Sequence, residues 1–148
     1  MPGMTDVAQM LRSLEPTVRD GEFVYVSLSG RAIPAALRPE VTIREDEGVA
    51  VVLRREDADA AGLFYDLTFA WITLTVHSSL EAVGLTAVFS AALGDVGISC
   101  NVLAGYYHDH LLVPVTQRDA ALAVLRELAG SAGRPGFPGD VPTGRRRR

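Results

Sequence analysis

The hydrophobic residues of positions 67–129 change period in a fixed order, and that order constrains the fold more than any other feature of the chain. AWITLTV (70–76) is rich in β-branched and aromatic residues and predicts a strand. In the following HSSLEAVGLTAVFSAALGDVG, residues Leu85, Val88, Phe89, Ala92 and Val96 fall on one helical face, and Gly97 closes the helix. ISCNVL (98–103) and HDHLLVPV (108–115) alternate with period two around Ala104-Gly105-Tyr106-Tyr107, which predicts a hairpin. Over 117–129 the helical period returns, with Ala121, Leu122, Leu125 and Leu128 inward and Thr116 with Asp119 as a capping box.

The resulting β-α-β-β-α order lacks one strand of a ferredoxin-like βαββαβ unit. The first half carries the same plan in reduced form. Thr5 or Asp6 caps a short helix through Val7, Met10, Leu11 and Leu14 that Pro16 ends. EFVYVSL (22–28) is a strand, and Pro34 and Pro39 leave only a crossover where the unit's first helix would be. VTIRE (41–45) and VAVVL (49–53) form a hairpin through Asp46-Glu47-Gly48, with the glycine at positive φ, and a helical turn follows at 55–61. A shift of 62 residues aligns VAVVL with LLVPV (111–115) and Asp57-Ala58 with Asp119-Ala120, as an internal repeat requires. The expected architecture is therefore α+β, two ferredoxin-like units of antiparallel strands with helices on one face. The boundaries fall at 1–66 for the degenerate first unit and 67–129 for the second. The strand missing from the second unit is expected from the first half, most simply from 22–28.

Composition narrows the function. All 14 basic residues are arginine, the mark of a GC-rich and bacterial coding sequence. Without Arg145–Arg148 the net charge moves from −4 to −8, so the body is acidic and unsuited to nucleic acid. Residues 130–148, with five Gly and three Pro, read as a disordered Gly/Pro/Arg tail. The apolar runs fall short of a membrane span, the N-terminus has no secretory pattern, and a single cysteine rules out internal disulfides. A cytoplasmic location is expected.

FVYVSL, TIREDEGVAVVL, WITLTVHSSLEAVGLTAVFSAAL and GISCNVLAGYYHDHLLVPV together resemble the small bacterial tandem ACT-like proteins, over roughly residues 5–129. The resemblance implies a regulatory or sensor module without catalytic activity that binds a small molecule, typically an amino acid, where two ACT units pair, and it allows a homodimer. In the similar ACT units of aspartate kinases, the loop after the first strand and the start of the next helix hold the ligand's backbone groups. The matching positions here are Val83, Gly84 and Leu85, with Ile98, Ser99, Cys100 and Asn101 on the neighbouring strand. Asp109 matches a position that faces the ligand's amino group. The other function classes are an interaction scaffold whose ligand loop is silent and, more distantly, an enzyme.

Two readings of Gly84 stand side by side in the residues themselves. A helix N-terminus at Val83-Gly84-Leu85 offers unpaired N–H groups to a carboxylate. Alternatively Ser78-Ser79-Leu80-Glu81 is a capping box, and Gly84 lies inside an earlier-starting helix. The His108-Asp109-His110 stretch sets both histidines on one strand face and Asp109 on the other, and with three histidines and one cysteine in the chain no metal site is expected. Asp109 equally suits a turn-end role. Cys100, in an apolar strand, reads as a buried thiol rather than a nucleophile. No cofactor-binding motif is present.

Overall fold

The computed structural model describes residues 6–30, 32–76 and 83–132. Asp6 caps α1 (Val7–Arg12) by accepting a 2.8 Å bond from Gln9 N–H, the capping role expected of it. Then follow β1 (Pro16–Leu28), β2 (Val41–Glu45), β3 (Gly48–Arg54), α2 (Arg55–Ala60) and β4 (Thr68–Leu74). The second half adds α3 (Leu85–Asp95), β5 (Asn101–Ala104), β6 (Asp109–Pro114), a 3₁₀ turn at Val115–Gln117 and α4 (Arg118–Ser131).

The strands form one six-stranded sheet in the order β2-β3-β1-β4-β6-β5. Every neighbour is antiparallel. The order reads the same from both edges inward, as two copies of one plan joined at β1 and β4, and β3 and β6, the strands matched by the 62-residue shift, take equivalent positions. β1 does double duty. Phe23–Leu28 pair with Arg54–Val49 of β3, while Pro16–Arg19 and Phe23–Val24 pair with β4. The strand missing from the second unit does come from the first half, but mostly from residues N-terminal to the expected 22–28. That extension was hidden because TVRDGE is polar and breaks period two. The register shifts between Arg19 and Phe23, and Gly21 takes φ 93° there.

Parity along the strands sorts the core onto two faces. On one face Ala70, Ile72, Leu74, Leu111 and Val113 pack against Met10, Leu11, Phe89, Leu93 and Leu125 of α1, α3 and α4. Val24, Val26, Val49, Val51 and Leu53 continue that face under Ala58 of α2, and the crossover supplies Ile33 and Leu37 in place of a helix. Each fully buried Val, Leu, Ile, Phe or Met among them contributes about 1.5–3 kcal/mol by leaving water. The opposite face carries Phe23, Val52, Phe69, Trp71 and Leu112, with no helical residue among them.

Three local expectations are corrected. Val96 is 58% exposed, because α3 ends at Asp95 and the buried stripe runs Leu85, Phe89, Leu93. The Thr116/Asp119 capping box does not form: the 3₁₀ turn leads directly into α4 with no side-chain cap, and Asp119 accepts from Arg118 Nε at 3.0 Å instead. Ile98–Cys100 precede β5 rather than belonging to it. The first hairpin turns as expected, with Gly48 at φ 151° and Leu28 O lying where a Cβ would be.

Candidate functional site

α3 starts where its sequence allows the sharpest entry. Gly84 is its N-cap at φ 104°, ψ −19°, a conformation that costs an L-residue its Cβ contacts. The first helical bond runs from Val88 N–H to Gly84 O at 3.1 Å, leaving the N–H groups of Leu85, Thr86 and Ala87 outside the intrahelical ladder. Of the two readings, the structure has the helix begin at Leu85. The Ser78–Glu81 capping box and His77 lie outside the described residues. Val83 is 84% exposed, Leu85 is buried in the core, and a Cβ on Gly84 would meet Val7 Cγ2 of α1 at 3.3 Å.

The remaining expected ligand residues divide between the two ends of α3. Asp109 pairs with Leu74, the last residue of β4, from which the chain leaves toward Gly84. Burial pushes its carboxyl above the ordinary value, against the pull of His110 and His108. Ile98, Ser99, Cys100 and Asn101 follow the C-terminal end of α3, and an eleven-residue helix spans about 16 Å. Ile98 is buried, Ser99 and Asn101 are exposed, and Asn101 Nδ2 donates to Leu112 O at 3.4 Å. Cys100 packs against the helix-side core, and burial pushes its thiol up to about 11.

His108 and His110 do not share a setting. His108 lies in the turn before β6, where its carbonyl accepts from Gly105 N–H at 2.9 Å and its Nδ1 is buried without a hydrogen-bond partner among the described residues. His110 lies on the face of Trp71. Its Nδ1 is 3.2 Å from Trp71 Nε1 and 3.0 Å from Thr73 Oγ1. An indole N–H can only donate, so Nδ1 must be the lone-pair nitrogen and the ring proton sits on Nε2. Arg19 lies with its guanidinium carbon 4.1 Å from the centre of the Trp71 ring and pairs with Glu40 at 2.9 Å. Burial first, then Arg19 and His108, lower the His110 pKa, with Asp109 acting the other way. Arg19, Glu40, Trp71 and Thr73 were not legible as partners of His110. The β1–β4 and β4–β6 registers bring Arg19, Trp71, Thr73 and His110 together, and the bond from Glu40 N–H to Val52 O of β3 sets Glu40 beside Arg19. Among the described residues no three His, Cys, Asp or Glu side chains converge as metal ligands would. None of their helices is long and apolar enough to cross a membrane.

Comparison with known proteins adds family to geometry. Two ACT-domain descriptions match in tandem, one over residues 2–70 and the other over residues 67–127. A Vibrio cholerae protein of unknown function is 45% identical, covering 83% of this chain and 95% of that one at a TM-score of 0.76. A protein from Agrobacterium tumefaciens has the same fold at 19% identity, covering 78% and 89% with a TM-score of 0.67. So does the ligand-free regulatory subunit of aspartate kinase from Thermus thermophilus, at 9% identity, 78% and 98% coverage and a TM-score of 0.56. No curated protein matches the sequence.

Proposed function

Because this chain belongs to the ACT-domain family, with two ACT units in tandem, we propose that it is a small-molecule sensor, regulatory rather than enzymatic, that binds an amino acid at the N-terminus of α3. The observation that carries this reading is Gly84 at φ 104°, capping an eleven-residue helix with no side chain of its own. Backbone N–H groups at such an end attract a carboxylate, and the absence of a Cβ lets it approach. Val83 and Leu85 flank that contact. Asp109, on the adjoining strand end, would take the amino group.

Ile98, Ser99, Cys100 and Asn101 enter the reading through a second copy of the chain. These residues follow the C-terminal end of α3 while Gly84 caps its start, and in this reading a homodimer interface brings the two sets to one ligand. The reading treats 1–66 and 67–129 as the two units and the protein as cytoplasmic and bacterial. The likeness to an aspartate kinase regulatory subunit supports the regulatory role.

A thermal-shift screen against the twenty amino acids tests it. A ligand at a hundred times its dissociation constant stabilises the folded state by about 2.7 kcal/mol. Gly84→Val should abolish the shift by occupying the carboxylate's space. Flat melting curves for every amino acid would remove the sensor reading and leave an interaction scaffold.

A further inference from the structure

The sheet order separates β2 from β5 by four strands, yet Ile43 of β2 and Leu103 of β5 line one groove of about 430 Å³. Only a sheet curled on itself brings its two edges to one opening, and the concave side is the one opposite the helices. Curling also explains how Phe23, Val52, Trp71 and Leu112 are buried on a face to which no described helix contributes. Trp71 and His110 form the floor of the groove, Ile43 and Leu103 its walls, and Arg19 with Glu40 its charged rim.

Donors outnumber acceptors there. His110 carries its proton on Nε2, as the indole N–H on Nδ1 requires. Gly105 keeps that nitrogen accessible: a Cβ at 105 would stand 3.0 Å from Nε2 and 2.8 Å from His108 O. Arg19 has N–H groups beyond the one on Glu40, and its stacking on Trp71 holds the guanidinium in the groove. Glu40 accepts from Arg19 through one carboxylate oxygen, Oε2. That ion pair is more than a third exposed on both sides, so it holds Arg19 only weakly and leaves it available to another partner. An acid would find two donors, Arg19 and His110 Nε2–H, between aliphatic walls.

We propose that this groove is a second binding site, for small monocarboxylates with a compact apolar body, the carboxylate accepting from Arg19 and His110 Nε2–H and the body lying between Ile43 and Leu103. The site is independent of the α3 N-terminus and lies on the other face of the sheet. Its volume falls within the roughly 300–1,000 Å³ of small-molecule pockets.

Trp71 is the only tryptophan, so its emission reports the groove floor directly. The experiment titrates the whole chain with 4-methylpentanoate and with phenylacetate, following Trp71 fluorescence and heat of binding, and repeats both with the corresponding amides. The expected result is saturable binding of the acids, weakened about tenfold or more in the amides and in Arg19→Gln, because a charge-assisted hydrogen bond is lost. Ile43 is 43% exposed, so Ile43→Phe should fill the groove without disturbing the core, and acid binding should disappear while the far-UV dichroism stays unchanged. Absence of any saturable response to either acid, amides binding as tightly as acids, or undiminished affinity in Ile43→Phe would each overturn the proposal. A flat Trp71 response beside an intact amino-acid thermal shift would sink this site alone.

Discussion

Replacing Gly84 with alanine separates the two ways in which the start of α3 can be read, because they differ in sign. Inside a helix, Gly→Ala gains about 0.5–1 kcal/mol from backbone entropy and propensity. At an N-cap held at φ 104°, ψ −19°, the same change drives a Cβ into a left-handed backbone, at a cost of roughly 1–2 kcal/mol. The new methyl also meets Val7 Cγ2 at 3.3 Å, a contact that Val7 must yield a few tenths of an ångström to accommodate. The net expectation is a loss of about 1–2 kcal/mol, which lowers Tm by roughly 2–8 °C at this chain length. Differential scanning fluorimetry on wild type and Gly84→Ala measures the sign, and Val7→Ala in the same background measures how much is contact rather than backbone strain. An unchanged or higher melting temperature in Gly84→Ala would refute both the positive-φ cap and the carboxylate site built on it.

Acid should disturb the Trp71 cluster first. The folded-state pKa of His110 is lowered, so the unfolded chain binds more protons in the interval between that value and 6.5. Stability therefore rises with pH through the interval and falls on acidification. Urea denaturation at about pH 5 and pH 7.5 should show this slope in wild type and a smaller one in His110→Gln, and equal slopes would remove the role given to the Nδ1 lone pair. Cys100, with its thiol raised from 9.0 to about 11, holds about a hundredfold less thiolate at neutral pH than an unperturbed cysteine. It should react with Ellman's reagent far more slowly than the unfolded chain, and comparable rates would count against its burial. Fragments 1–66 and 67–148 should each lack a cooperative thermal transition, because cutting between them strips β4 of its pairing with β1. Two sharp transitions would mean that the sheet is not one folding unit.

Much of this molecule is determined by short-range chemistry that can be read residue by residue. Strand and helix periods locate the two hairpins, the inward face of α4 and the crossover between Pro34 and Pro39, since burial imposes a period of two or 3.6 whatever the partner. The 62-residue repeat likewise announces equivalent strands, and β3 and β6 are equivalent in the sheet. Local chemistry could not decide where Leu85 begins its helix, because a capping box at Ser78 and a glycine at 84 are both competent starts, and only the backbone angles distinguish them. Nor could it reveal the N-terminal half of β1, whose polar TVRDGE is tolerated in a central strand because a bulge and the stacking of Arg19 on Trp71 replace ordinary apolar packing. The polar partners of His110 come from residues 37 and 39 positions away, and the opposing walls of the groove from strands at opposite edges of the sheet. Register and curl arise from the packing of the whole sheet, so no single stretch of sequence contains them.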